Sequence, residues 1–173
     1  MEKLLTVSIA AYNVAQYIAQ ALDSCILEPE WMDRLEVLIV DDGATDETAA
    51  IAQGYADRYP GTFRVIRKPN GGYGTTVNRS MQEATGRYFK LLDGDDWFDQ
   101  EGLLALLRHL EHCESDAVLT HIRRFTPEGE LATGEPTWSR YYGQSRNAGE
   151  VTGEILITMW QLTYRTELLR AHP

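Results

Sequence analysis

Apolar residues fall in short runs, separated by stretches whose apolar positions recur at helical spacing. Leu5 to Ala10 is a compact apolar run bounded by polar residues and predicts a buried strand. After Asn13, the positions Val14, Tyr17, Ile18, Ala21, Leu22, Cys25 and Ile26 share one helical face, which predicts an amphipathic helix stopped near Pro29. Glu36 to Val40 is almost unbroken apolar sequence, as in a parallel strand covered on both faces. Thr45 is placed to cap a second helix, with Asp46 and Glu47 in a first turn where the helix dipole favours acids. That helix turns Ile51, Ala52 and Tyr55 inward and ends by Pro60. Thr62 to Ile66 predicts a third strand, followed by a turn-rich loop, Asn70-Gly71-Gly72-Tyr73-Gly74. A third helix is expected from about Thr75 to Thr85, with Gly86 as the left-handed residue just past its end. Tyr88 to Leu92 reads as a fourth strand, Leu103, Leu106, Leu107 and Leu110 as one face of a fourth helix, and Asp116 to His121 as a fifth strand.

Strands that alternate with helices predict an α/β fold with a mostly parallel sheet flanked by helices. The pattern loosens after Ile122. Pro127-Glu128-Gly129-Glu130 is a turn signal, so Ile122–Thr126 and Leu131–Thr133 are expected to pair as a small antiparallel hairpin late in the chain. Tyr141 to Gly153 reads as a polar loop, and Ile155 to Tyr164 as one further strand. The 173 residues suit a single domain, 1–173, with enough material for a real core. No apolar run approaches the ~20 residues that span a bilayer. Cys25 and Cys113 read as free thiols of a reducing cytoplasm. The net charge of −10, from 26 acids against 16 bases, excludes a nucleic-acid partner, which would need a basic stripe. It leaves room for one phosphorylated small molecule, because a metal can invert the local sign.

The chemistry concentrates where the fourth strand ends. Asp93, Asp95 and Asp96 place three carboxylates within four positions. At ~4 Å and an effective dielectric of ~20, each like-charge pair repels by about 4 kcal/mol. A divalent metal or a raised pKa resolves such crowding. Ala10-Ala11-Tyr12-Asn13 follows strand one, Asp41-Asp42-Gly43-Ala44-Thr45-Asp46 strand two, and the glycine loop at 70–74 strand three. Ligands of open α/β sheets bind outside the carboxyl ends of the strands, so these loops are expected to share one rim. Alone, Asp41-Asp42-Gly43 reads as a turn with a helix cap, the glycine loop as a flexible connection, and Tyr12 as a core aromatic with a wet hydroxyl. The glycine loop also lacks the lysine of a phosphate loop and the GxGxxG spacing of a dinucleotide fold. Trp97 is expected to pack beneath the acid loop.

Taken in order, these pieces resemble family 2 glycosyltransferases of the GT-A fold. The matching residues are Ala10 to Asn13, Val40 to Asp46, the 70–72 loop, Ala84 to Trp97 and the late Tyr164-Arg165-Thr166-Glu167-Leu168. The resemblance implies a nucleotide-diphosphate sugar donor, UDP-sugar by default, bound with Mn2+ or Mg2+. It implies transfer, with inversion, to a saccharide or lipid-linked acceptor hydroxyl in cell-surface polysaccharide or glycoconjugate synthesis. The protein is then expected in the cytoplasm, working at the inner face of the membrane. Carried over by residue, the resemblance implies that Ala10, Tyr12, Asn13, Asp41, Asp42, Asn70, Gly72, Asn78, Asp93 and Gly94 bind the nucleotide. Asp95, with Asp93 and Asp96, would bind the metal.

Three departures qualify it. Val77 stands where the family often has arginine, so phosphate charge is expected to meet the metal, Lys68, Arg79 or backbone N–H groups. Ala10 replaces a usual proline. The family's catalytic base lies beyond the tyrosine-arginine segment, so the base and the acceptor region are expected past Pro173. Three rival readings are a metal-dependent phosphohydrolase, a nucleotidyltransferase and a non-catalytic nucleotide-sugar binding module. The first needs its nucleophilic aspartate after strand one; the second needs a basic glycine loop there.

Overall fold

The computed structural model describes residues 2–126, 128–131, 139–147, 150 and 158–171. The apolar runs become β1 (Leu5–Ala11), β2 (Leu35–Asp41), β3 (Phe63–Arg67), β4 (Tyr88–Asp93) and β5 (Ala117–Leu119). A late strand, β8 (Leu162–Arg165), joins them in one six-stranded sheet of order β3-β2-β1-β4-β8-β5. β3, β2, β1 and β4 run parallel, while β8 lies antiparallel between β4 and β5. Every residue of β2 is buried, as its unbroken apolar sequence requires.

Helices cover both faces. On one, α1 (Ile18–Asp23), α2 (Pro29–Met32), α3 (Thr48–Arg58) and α5 (Gln100–His112) pack a core of Val7, Ile9, Leu22, Leu35, Ile39, Phe63 and Leu107. On the other, α4 (Tyr73–Glu83) and α6 (Thr166–Ala171) set Val77, Met81 and Leu169 against Leu38, Val40, Phe89 and Leu91. The hairpin is β6 (Arg124–Thr126) with β7 (Gly129–Leu131). Its second strand therefore starts two residues earlier than expected, and 132–133 lie outside the described residues. Within the expected strand 155–164, only Leu162 onward is strand; Met159–Gln161 is a 3-10 turn, and 155–157 lie outside the described residues. Of the expected loop 141–153, residues 148–149 and 151–153 also lie outside them.

Several local differences have a physical cause. Pro29 does not end the first helix, which stops at Asp23; it opens α2 behind the N-cap Glu28, where its fixed φ and missing N–H do no harm. α3 starts at Thr48, not after Thr45, because the Asp46 carboxylate accepts the Thr48 N–H at 3.0 Å and nucleates the helix there. α4 starts at Tyr73, so the glycine loop feeds directly into it. Gly86 is not left-handed: the described residues with that backbone are Asn13, Gly43, Gly72, Gly129 and Gly143. The chain leaves α4 extended at Ala84, and Gly86 is required for another reason. A Cβ there would stand 2.5 Å from the Thr6 backbone nitrogen and 2.7 Å from the Leu5 carbonyl carbon.

Lys90 is a buried cation in the middle of β4, only 4% exposed. Its ammonium donates to Trp160 O (2.7 Å) and Thr120 Oγ1 (3.1 Å), and burial pulls its pKa down to about 8. An unfolded lysine keeps its proton up to ~10.4, so between the two values the unfolded chain binds more protons and stability rises with pH. Burial also pushes the Cys25 thiol up to about 12, which acts in the opposite direction above pH ~9. A comparison with Lys90→Met cancels that contribution. Denaturant melts at pH 7.5 and 9 should show wild type gaining about 1 kcal/mol on the variant; an unchanged difference would exclude the lowered pKa.

Candidate functional site

The sheet order sets β1 between β2 and β4, and the register makes their last residues neighbours. Ala11 pairs with Asp41, and Ala10 with Asp93. The chain crosses from one direction of winding to the other between β1 and β4, so the crevice of an open α/β sheet falls at these strand ends. Gly94 is buried there, and a Cβ on it would lie 3.0 Å from Ala10 O and from the Val14 side chain.

At the β1–β2 side, polar side chains bind the loops to one another. Asn13 adopts a left-handed backbone (φ 53°), tolerable for asparagine, and its Oδ1 accepts from Thr45 N at 2.8 Å. Asp41 accepts from Ala44 N at 2.8 Å and closes the Asp-Gly turn. Asp42 is buried and holds the glycine loop: Oδ1 accepts from Gly71 N (2.9 Å), Oδ2 from Gly72 N (2.8 Å), and Lys68 pairs with it. Burial pushes its pKa up, but the hydrogen bonds from Lys68, Gly71 and Gly72 outweigh that and hold it below the usual carboxylate value. Asn70 passes close to Gly43, whose Cβ would stand 3.0 Å from Asn70 N. Tyr12 remains 48% exposed at the rim, not a core aromatic.

At the β4 side, Asp93 to Asp96 form a tight turn closed by Asp96 N on Asp93 O at 3.0 Å. Asp93 Oδ2 accepts the Trp160 indole N–H at 2.7 Å, whereas Oδ1 is buried with no hydrogen-bond partner. The Tyr73 hydroxyl lies beside this acid; burial, then the Asp93 charge and hydrogen bonding toward Asp93, then the Asp96 charge, raise its pKa well above that of an ordinary phenol. Burial, followed by the charges of Asp95 and Asp93, also raises the Asp96 pKa. Asp95 is exposed. The three acids share one turn, yet among the described residues no three His, Cys, Asp or Glu side chains converge as a ready-made metal cage. Trp97 does not pack beneath the turn; it is 41% exposed and lies against Phe125 with ring centroids 5.5 Å apart.

The expected residues do not all meet. Asn78 is exposed on α4, about 7.5 Å along the axis from Tyr73 at 1.5 Å per residue. Val77, in the position often held by arginine, packs on the second core. Lys68 is paired with Asp42, and Arg79 with Glu83 at 2.7 Å, so neither stands free to meet phosphate. That leaves backbone. Gly72, the N-cap of α4, has no side chain to accept from the first-turn N–H groups, and no acid belongs to that turn, although the Asp42 carboxylate takes the N–H of Gly72 itself. Trp160 and Tyr73 were not anticipated: Trp160 is 67 positions from Asp93, and no short-range pattern connects them.

The model of glycosyl transferase family 2 matches residues 6–171. Putative glycosyltransferase EpsH of Bacillus subtilis is 30% identical over 171 residues, covering 95% of this chain and 47% of that protein. S. aureus TarS 1–349 in complex with UDP-GlcNAc superposes with a TM-score of 0.74 at 20% identity, over 97% of this chain and 47% of that one. Mannosyltransferase PcManGT from Pyrobaculum calidifontis, in complex with GDP-Man and Mn2+, gives 0.61 at 24% identity, over 72% of this chain and 36% of that one. These two likenesses establish a shared fold, the GT-A arrangement of sheet and helices. The chain spans less than half the length of each of the three proteins.

Proposed function

The chain belongs to glycosyl transferase family 2, and from that premise we propose that it binds a nucleotide-diphosphate sugar for transfer to an acceptor hydroxyl in glycan synthesis. UDP-sugar is the first choice of donor. The observation that carries this reading is the convergence at adjoining strand ends of Asp41, Ala10 and Asp93, with the uncapped start of α4 beside them. The nucleoside end is assigned to Ala10, Tyr12, Asn13, Asp41, Asp42, Asn70 and Gly72, and the diphosphate end to Asp93, Gly94, Asp95 and Asp96. Tyr12 offers an exposed aromatic face to a base. Asn13, Asp41 and Asp42 serve the pocket by fixing its loops, since their oxygens already accept N–H bonds. The first-turn backbone and positive dipole end of α4 meet the diphosphate charge.

A divalent cation suits the acid turn. Its donors are hard carboxylate oxygens, Asp93 Oδ1 lacks a partner, and crowding raises the Asp96 pKa. Asp95, with Asp93 and Asp96, would hold Mn2+ or Mg2+ through one or two carboxylates, the phosphates supplying other ligands. When bound, the cation supplies Lewis-acid stabilisation of the departing diphosphate. We assign no described residue as the base that deprotonates the acceptor. No helix among the described residues is long and apolar enough to cross a membrane; we place the protein's work in the cytoplasm, at the membrane face where lipid-linked acceptors lie.

Thermal melts with UDP, GDP, CDP and dTDP, each with and without Mn2+, test the reading. At ~100 times its dissociation constant UDP with Mn2+ stabilises by about 2.7 kcal/mol, a rise of roughly 5–10 °C for a chain of this size. If none of the four nucleotides shifts the melt with or without Mn2+, the donor-site assignment fails.

A further inference from the structure

Asp93 stands out among the acids of the rim because the side chain that holds it, Trp160, lies 67 positions away. Trp160 lies in the 3-10 turn Met159–Gln161, and that turn is pinned on three sides. Thr158 and Gln161 cap it reciprocally, with Thr158 N donating to Gln161 Oε1 at 3.0 Å. Lys90 donates to Trp160 O at 2.7 Å from within β4, and Thr120 N bonds Gln161 O at 2.8 Å from the end of β5. An anchored backbone holds the indole ring in one place. Its N–H meets Asp93 Oδ2 at 2.7 Å, a charge-assisted bond of normal length.

A carboxylate at the end of a strand is otherwise free to rotate about its last bond. The Trp160 bond removes that freedom and fixes the second oxygen. Oδ1 is buried and has no partner among the described residues. A buried carboxylate oxygen without a donor is rare in a folded protein, and at a binding rim it marks a place that a ligand completes. The Tyr73 hydroxyl borders the same acid from the start of α4, and Met159 Sδ lies 3.6 Å from that hydroxyl. Asp93 is thus enclosed by side chains from two elements far apart in sequence: Oδ2 is committed to Trp160, while Oδ1 meets no donor in full hydrogen-bond geometry, the Tyr73 hydroxyl being the donor beside the carboxylate.

We propose that Trp160 is a positioning residue for Asp93: its indole N–H fixes the carboxylate so that Oδ1 receives a hydroxyl or cation delivered with the nucleotide-diphosphate donor. The inference rests on the donor-site reading above and adds a specific atom, and a residue outside the acid turn, to it. Trp160 acts through Asp93 and makes no bond to the ligand itself. The anchoring by Lys90 and Thr120 explains why an aromatic side chain, 37% exposed, can serve as a fixed donor.

The test is a double-mutant cycle on the intact chain, using Trp160→Phe, which keeps the ring and removes the N–H, and Asp93→Ala. UDP affinity is titrated with and without Mn2+ for wild type, both single variants and the pair. Trp160→Phe should weaken UDP binding in the presence of Mn2+ about tenfold, and should weaken it no further once Asp93 is alanine. In a 15N-labelled sample the Trp160 indole resonance, assigned by its loss in Trp160→Phe, should move in Asp93→Ala without any ligand. Wild-type affinity in Trp160→Phe overturns the positioning role, and so does an equal loss with and without Asp93, which would mean that Trp160 touches the ligand or only supports the fold. A wild-type chain that binds no nucleotide overturns the donor-site reading, and the positioning role with it. An indole resonance that stays fixed in Asp93→Ala overturns the bond itself.

Discussion

Gly86→Ala is expected to destabilise the chain by about 3 kcal/mol or more, the upper end of what overpacking costs. The added methyl would meet Thr6 N at 2.5 Å, Leu5 C at 2.7 Å and Thr6 Oγ1 at 2.8 Å. Two of those atoms are backbone of β1, the strand paired on both sides at the centre of the sheet, so no side-chain rotation relieves the clash. Three hydrogen bonds converge on the same point. Gly86 N donates to Thr6 Oγ1 at 2.8 Å, Thr6 Oγ1 donates to Glu36 Oε2 at 2.6 Å, and Thr166 Oγ1 donates to Gly86 O at 2.6 Å. Any backward shift of residues 84–87 strains that buried chain, which also holds Thr85 N on Glu36 Oε2 at 2.7 Å. Gly54→Ala is the control. It lies in α3 with nothing within 4 Å of the new methyl, and it should stabilise by about 0.5–1 kcal/mol through helix propensity. Urea midpoints should therefore move in opposite directions. A Gly86→Ala chain within 1 kcal/mol of wild type, at unchanged m-value, would show that the β1 contact yields easily.

That glycine also shows where reading the sequence stops. Its position after a helix suggested a left-handed cap, because local pattern sees only the chain on either side. The reason for it lies on β1, about 80 residues away, and no period carries that information. The same division runs through the molecule. The strands buried on both faces were legible because unbroken apolar runs have few other uses, and the face of α5 was legible from Leu103, Leu106, Leu107 and Leu110. β8 was legible only as the end of the expected strand 155–164; its antiparallel place was not, since that depends on pairing with β4 across some 75 positions and with β5 across some 45. Lys90 was read as one more residue of an apolar strand; its buried ammonium became visible only once the carbonyl of Trp160 was seen to meet it. For the site, the loops and their acids followed from strand ends. What each acid does did not. Asp42, expected to reach the nucleotide, also holds Gly71 and Gly72, while Asp93 carries a buried oxygen that no donor meets in full hydrogen-bond geometry.

Asp95→Ala is expected to abolish the Mn2+-dependent part of nucleotide binding, a loss of about 100-fold in UDP affinity measured with the cation, while affinity without it changes little. The argument runs from charge. Asp95 is exposed on the acid turn and makes no hydrogen bond among the described residues that its loss would break, so folding should be untouched within about 0.5 kcal/mol. Its charge, however, is among those that raise the Asp96 pKa, after burial itself. Removing it leaves two carboxylates where three stood, relieves Asp96 and lowers the local pull on a divalent cation. A cation shared between this turn and a diphosphate loses one hard oxygen ligand and one negative charge together, and about 2.7 kcal/mol of binding corresponds to the 100-fold change. Asp42→Asn provides the contrast, because Asp42 is buried against Lys68. That change should lower stability and weaken UDP binding alike with and without Mn2+, since the glycine loop loosens whatever ion is present. If Asp95→Ala keeps the full difference between melts with UDP alone and melts with UDP and Mn2+, the acid turn is not where the cation sits.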